Sequence, residues 1–345
     1  MASPDDVATS KAIQQRTGKT FHVATRLLPR RVREATYVLY AFFRVADEVV
    51  DDPAGVPPDE QRAELTRIRE AALGRRKTDD PVLSAFRSIK ERYGIPDREV
   101  EAFIDAMEMD VTVDRYETYA DLEEYLRGSS VAVAYMMLAV MDPEEKERAR
   151  PHAKALGEAF QLTNFLRDVR EDVVDYGRIY VPQSTLSEHG VTEEQIESFR
   201  FDDDVAAAVR AELERTERLY RTGVEGIRHL PPDCRFGVLL SAVLYAEHHR
   251  QIRGHGYDVL SARRTLTTRR RLWLAVKTWV HYRHTADPVA TFEAVSAVPP
   301  EEPDGDDPDR SDVAADANRG GRWAVPGRSA LRAAGSFLRR IGGLV

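Results

Sequence analysis

The stretch Gln161-Leu-Thr-Asn164-Phe-Leu-Arg167-Asp168-Val-Arg-Glu171-Asp172 carries polar residues at three- and four-residue steps on an apolar background of Phe160, Leu162, Phe165 and Leu166. Residues so spaced share a helix face, so the stretch predicts an α-helix with Gln161, Asn164, Asp168 and Asp172 along one side. Asp168 and Asp172 then stand one turn apart, roughly 6 Å. Like charges at that spacing destabilise even an isolated helix. The apolar neighbours suit a buried helix, where an unpaired carboxylate is far more expensive. A polar stripe through such a helix reads as the lining of a cavity.

Well upstream, Tyr37-Val-Leu-Tyr40-Ala-Phe-Phe-Arg44-Val-Ala-Asp47-Glu48-Val-Val-Asp51-Asp52 repeats the arrangement. Asp47 and Asp51 share a face, and Tyr40, seven residues before Asp47, shares it too. A single such pair is common on solvated helices. Two pairs, each in apolar flanks, point to one site. Magnesium would offset the repulsion, since it takes one or two carboxylates, several waters and a substrate phosphate as oxygen ligands.

Apolar residues recur at helical steps near 33–51, 59–75, 97–110, 119–141, 144–174, 205–227, 235–254 and 266–284, with no alternating strand pattern. The expected fold is a single all-α domain, a helical bundle around a central cavity. It should occupy residues 1–290. Residues 291–321 are rich in Pro, Gly and Asp and read as an acidic disordered linker. Residues 322–345 hold Arg328, Arg332, Arg339 and Arg340 and no acid, with Leu331, Ala334, Leu338 and Ile341 at helical steps. This tail has the pattern of a basic amphipathic helix suited to an anionic membrane surface, the alternatives being a disordered tail or a helix docked on the core.

The net charge of −8 argues against a nucleic-acid partner. Only seven of the 50 basic residues are lysine, which fits either a salt-adapted surface or arginine-rich codon usage. One cysteine, Cys234, excludes an internal disulfide and makes a cysteine metal site a poor expectation. No stretch reads as a signal peptide or as 18 consecutive apolar residues. The expected location is cytoplasmic, peripheral on the inner face of the cell membrane. His248 and His249 are adjacent on a predicted helix and read as surface residues.

These motifs resemble the squalene/phytoene synthases, which join two isoprenyl diphosphates head to head. The matching stretches are Gly18-Lys-Thr-Phe21, Ala24-Thr-Arg-Leu-Leu-Pro29-Arg30, Arg33-Glu-Ala, the Leu39–Asp51 and Tyr125–Met137 segments, Gln161–Asp172 and Gly177-Arg178-Ile-Tyr180-Val-Pro182. They span about residues 15–285 in the family's order. The resemblance implies the isoprenoid-synthase fold and magnesium, with manganese as the alternative ion, held by Asp47, Asp51, Asn164, Asp168 and Asp172. It implies diphosphate contacts from Lys19, Thr20 and Phe21, and cavity roles for Tyr40, Tyr125, Gln161, Asn164, Tyr180 and Tyr245. Arg44, one turn before Asp47, can add charge-assisted hydrogen bonds to phosphate oxygens. An arginine near the end of the match should face phosphate, and an apparent extra residue there leaves Arg263 or Arg264, with Arg263 preferred. The implied reaction is condensation of two geranylgeranyl diphosphates to phytoene through a cyclopropyl diphosphate, the first step of carotenoid biosynthesis. NADPH is not expected. The alternative is a squalene or dehydrosqualene synthase using two farnesyl diphosphates.

Arg127-Gly-Ser-Ser130 is more polar than the family's small apolar residues there, so either the helix register slips or the cavity wall differs. A di-iron protein would want Glu-x-x-His pairs on facing helices, and none accompanies the aspartates. A non-catalytic membrane adaptor would leave the aspartates, Gln161 and Asn164 unexplained. The oligomeric state is not readable from the sequence.

Overall fold

A computed structural model of the chain describes residues 25–51, 55–262 and 265–300. The helices are α1 (Arg30–Val50), α2 (Pro58–Ala72), α3 (Pro81–Tyr93), α4 (Asp97–Asp110), α5 (Tyr119–Leu126), α6 (Val133–Met141), α7 (Lys146–Tyr176), α8 (Gln183–Glu188), α9 (Glu193–Glu197), α10 (Asp203–Glu225), α11 (Pro232–Gly254), α12 (Thr268–Thr285) and α13 (Pro288–Val295). Among the described residues there is no strand, only an isolated bridge between Arg115 and Ile179. The all-α expectation holds.

Local chemistry explains where the helices begin and end. Asp202 caps α10 by accepting from the Val205 N–H at 3.0 Å, and Asp203 and Asp204 follow in its first turn. An acidic cluster is thus matched to the positive end of a helix. Helix α7, 31 residues long, stops at Gly177, whose φ of 65° is left-handed. That reversal lets Arg178 and Tyr180 fold back beside the helix end.

The 119–141 segment is helical throughout but not uniform. Between α5 and α6 lies a π-helical stretch, Arg127–Ala132, which inserts the register slip. Gly128 makes it possible: a Cβ there would lie 2.1 Å from the Ala102 carbonyl oxygen and 2.5 Å from the Ala106 Cβ. Helix α4 therefore presses directly on this backbone, and Ser129 and Ser130 come to line the central cavity.

Two expectations need correction. Phe292 and Val295 are buried and α13 runs across position 290, so the compact unit ends at Val298. His248 and His249 are buried, not on the surface. Helix α11 is packed by α7, α10, α12 and α13, so adjacent azimuths are both covered. His249 meets Thr163 Oγ1 through Nε2 at 2.9 Å and Glu217 Oε1 through Nδ1 at 3.0 Å. This fully buried contact ties α7 to α10 and α11, and burial lowers the His249 pKa. The linker and the 322–345 tail, apart from residues 291–300, lie outside the described residues.

Candidate active site

Helices α1 and α7 both contribute to the wall of a cavity of about 790 Å³. Asp47 and Asp51 from α1 and its C-cap, and Asp168 and Asp172 from α7, all line it. So do Tyr40, Arg44, Tyr125, Gln161, Asn164, Tyr180 and Tyr245. Lys19, Thr20, Phe21 and Arg263 lie outside the described residues. The burial pattern of α7 follows the sequence spacing: Leu162, Thr163, Phe165, Leu166 and Val169 are buried, while Gln161, Asn164, Asp168 and Asp172 reach the cavity.

The two pairs sit where carboxylates are least welcome. Each lies toward the C-terminal end of its helix, and neither helix has a basic residue in its last turn. A helix C-terminus carries partial negative charge, which further disfavours the ionised forms of Asp47, Asp51 and Asp172 near the helix ends. Burial, then the charge of Asp51, pushes the Asp47 pKa up to about 7. Burial, then Asp168, pushes Asp172 up to about 8. Burial also raises Asp51, against the opposing pull of Arg44 and Arg178. The site has an excess of buried negative charge that a cation would relieve.

Three arginines meet part of that demand. Arg167 holds both carboxylate oxygens of Asp168, with the Nε bond at 2.7 Å. Arg44 donates to Glu48 at 3.2 Å and to Asp51 at 3.3 Å. Arg178, buried, lies 3.8 Å from Asp51 and 3.9 Å from Asp110 and donates to the Asp110 carbonyl at 2.7 Å. Asp110 and Arg178 are site residues that sequence reasoning does not single out. Tyr125 donates to Asp110 Oδ2 at 2.8 Å, and burial moves the Asp110 pKa up to about 6. The Tyr180 ring stacks on Phe165 at 3.8 Å with Tyr125 at 5.8 Å, so an aromatic wall flanks this charged end. Elsewhere in the lining Tyr245 packs 4.7 Å from Phe160.

No group of three or more Asp, Glu, His or Cys among the described residues converges as a ready-made metal cage. Two separate carboxylate pairs, in which burial raises the pKa values of Asp47, Asp51 and Asp172, are residues that could hold magnesium. That ion keeps several waters and takes its remaining oxygens from a phosphate.

The raised pKa values set an expected pH response for the metal-free chain. Asp47 and Asp172 bind protons more readily folded than unfolded. The resulting stabilisation is complete below about pH 4 and is lost as pH rises through about 7 and about 8 respectively. Calorimetry should show a melting temperature lower at about pH 8.5 than at about pH 6. Asp47→Asn with Asp172→Asn should flatten that slope. An equal slope in both chains would contradict the burial of these carboxyls.

With this geometry in place, residues 14–271 match the family model described as squalene/phytoene synthase. The chain belongs to the squalene/phytoene synthase family. It is 35% identical over 276 residues to a phytoene synthase of Cereibacter sphaeroides, covering 76% of each chain. It is 34% identical to that of Rhodobacter capsulatus, over 75% of this chain and 77% of the relative. A 15-cis-phytoene synthase of Synechococcus elongatus is 31% identical, over 76% and 88%. Among solved structures, a dehydrosqualene synthase in complex with ligand superposes with a TM-score of 0.73 at 26% identity, over 81% of this chain and 97% of that one. A squalene synthase of Alicyclobacillus acidocaldarius gives 0.66 at 26%, over 74% and 95%. The helical bundle around a cavity is therefore the isoprenoid-synthase fold shared by this family.

Proposed function

We propose that this chain condenses two geranylgeranyl diphosphates head to head to phytoene, as the first step of carotenoid biosynthesis. The observation that carries the reading is the convergence of both aspartate pairs on one aromatic-walled cavity, in a family member whose sequence relatives are phytoene synthases. Those relatives are 31–35% identical, above the 26% of the dehydrosqualene and squalene synthase structures. The C20 substrate therefore stands ahead of the C15 alternative.

In the first half-reaction the C1–O bond of one substrate breaks and its C1 bonds to the alkene of the second. Diphosphate leaves, a proton is lost and a cyclopropyl-carbinyl diphosphate forms. In the second, that intermediate loses its own diphosphate, rearranges and ends by losing another proton. Magnesium, or manganese, held by Asp47, Asp51, Asn164, Asp168 and Asp172, would supply Lewis-acid neutralisation of the departing diphosphates. Arg44, between Glu48 and Asp51, is positioned to donate charge-assisted hydrogen bonds to phosphate oxygens. Tyr40, Tyr125, Tyr180 and Tyr245 present rings and hydroxyls to the cavity. Ring faces stabilise a passing cation.

The reading expects the same phytoene yield with and without NADPH. Chromatography of both reactions decides it. Squalene formed only from farnesyl diphosphate with NADPH would overturn the branch and leave the family standing.

The 322–345 tail is proposed to hold the enzyme on an anionic membrane surface, because its arginines and apolar residues fall at helical steps with no acid among them. Val298 is buried and the Ala297 carbonyl accepts from Arg253, so a deletion should begin after Pro300. Removing residues 301–345 should leave turnover in detergent within about twofold, because every assigned site residue lies earlier, and should weaken binding to anionic vesicles. Equal vesicle binding by the two chains would refute the anchor.

A further inference from the structure

Helix α12 is a basic element in an acidic protein. Thr268–Thr285 carries Arg269, Arg270, Arg271, Lys277 and Arg283 without a single Asp or Glu, in a chain of net charge −8. Leu274, Ala275 and Thr278 are its buried residues and fix which side faces the core. On the opposite side, at steps of four and three, run Arg269, Trp273, Val276, Val280 and Arg283. Trp273 is 48% exposed, and Arg269 and Arg283 are exposed at the two ends of the stripe. The Arg270 guanidinium lies 4.3 Å from the Trp273 ring centre and the Lys277 ammonium 5.3 Å. Arg270 is paired with the buried Glu247 at 2.8 Å and Lys277 donates to the Ala294 carbonyl at 3.1 Å. The outward face is thus an apolar stripe centred on an indole with the exposed cations Arg269 and Arg283 at its two ends. Two residues before Trp273, Arg271 lines the cavity, as does Leu266, so the face begins at the cavity's edge.

We propose that this face of α12 docks on an anionic bilayer, with the Trp273 indole at headgroup depth and Arg269 and Arg283 against lipid phosphates. Both halves of the pattern are accounted for. Indole rings favour the interface between water and hydrocarbon, and arginines are drawn to a negative leaflet. The acidic residues 301–309 of the same chain would match the charge but contain no large apolar side chain to cover the stripe. The docking itself rests on charge and exposure. Its use rests on the proposed function, because a C40 hydrocarbon leaving the cavity must pass into a bilayer.

The test uses the full chain carrying Trp279→Phe and Trp323→Phe, which leaves Trp273 as the only tryptophan. With phosphatidylglycerol vesicles whose acyl chains are brominated, Trp273 emission should shift to the blue and be quenched. Phosphatidylcholine vesicles should produce neither effect. In the otherwise natural chain, Trp273→Ala should weaken vesicle partitioning. Arg269→Glu with Arg283→Glu should lower it by about tenfold or more at moderate salt. These positions are exposed, so circular dichroism should report an unchanged fold. Co-sedimentation with vesicles while Trp273 emission stays unmoved would assign all lipid binding to the tail and overturn the proposal. Emission that is already blue and insensitive to lipid would mean that this chain or a second copy covers the face, and would overturn it equally. Turnover in detergent is read separately, so failure here leaves the proposed reaction untouched.

Discussion

Asp168→Asn should lower turnover by at least about a hundredfold at saturating substrate, with helical content unchanged. Asn keeps the shape of the side chain and removes the charge. Asp168 lines the cavity one turn from Asp172, and Arg167 grips both its oxygens. A neutral amide loses that grip and the ability to share a cation with its neighbour. The fold should tolerate the change, because it also removes the charge that helps raise the Asp172 pKa. Stopped-time assays with labelled substrate, alongside circular dichroism, measure both effects. Turnover near that of the natural chain would remove the carboxylate clamp from the account.

Gly128→Ala should be a strongly disruptive single methyl addition near the site. The new Cβ would meet the Ala102 carbonyl oxygen at 2.1 Å, and a backbone oxygen has no rotamer with which to yield. Either α4 moves away or the π-helical stretch reverts to α, which would rotate Ser129 and Ser130 relative to the cavity. Overpacking of this kind costs about 1–3 kcal/mol, and a backbone clash belongs at the upper end. Denaturant melts should show a lower midpoint, and activity should fall with it. An unchanged midpoint would mean that α4 does not press on this segment.

Much of the architecture is legible in the sequence because the core imposes one periodicity on long helices. The segments near 33–51 and 144–174 differ by three residues or fewer at each end from Arg30–Val50 and Lys146–Tyr176. Helix α3 escapes the periodicity, although Asp80 caps it by accepting from the Val82 and Leu83 N–H groups and Gly94 ends it at φ 61°. Those signals stand in the sequence; its apolar run is simply short. Helices α8 and α9, six and five residues long, owe their existence to packing and leave little periodic trace.

At the site, side chains supplied by helical spacing are readable, and those supplied by tertiary approach are not. Asp47, Asp51, Asp168 and Asp172 announce themselves by their step of four. Asp110 acquires its surroundings only when Tyr125 and Arg178 arrive from elsewhere in the chain. Arg178 stands in a family-like stretch, yet its burial between two aspartates depends on the left-handed turn at Gly177. Polarity at residues 127–130 does signal a departure from a regular helix. The close approach of Ala102 that explains it is a property of the packed structure.

The most direct test is to strip the chain with a chelator, incubate it with labelled geranylgeranyl diphosphate without NADPH, and then add magnesium. Hydrocarbon extracted into organic solvent should be absent before the addition and should be phytoene after it, with two diphosphates released per molecule formed. Phytoene formed without a divalent metal, or magnesium-dependent release of diphosphate with no hydrocarbon product, would contradict the account.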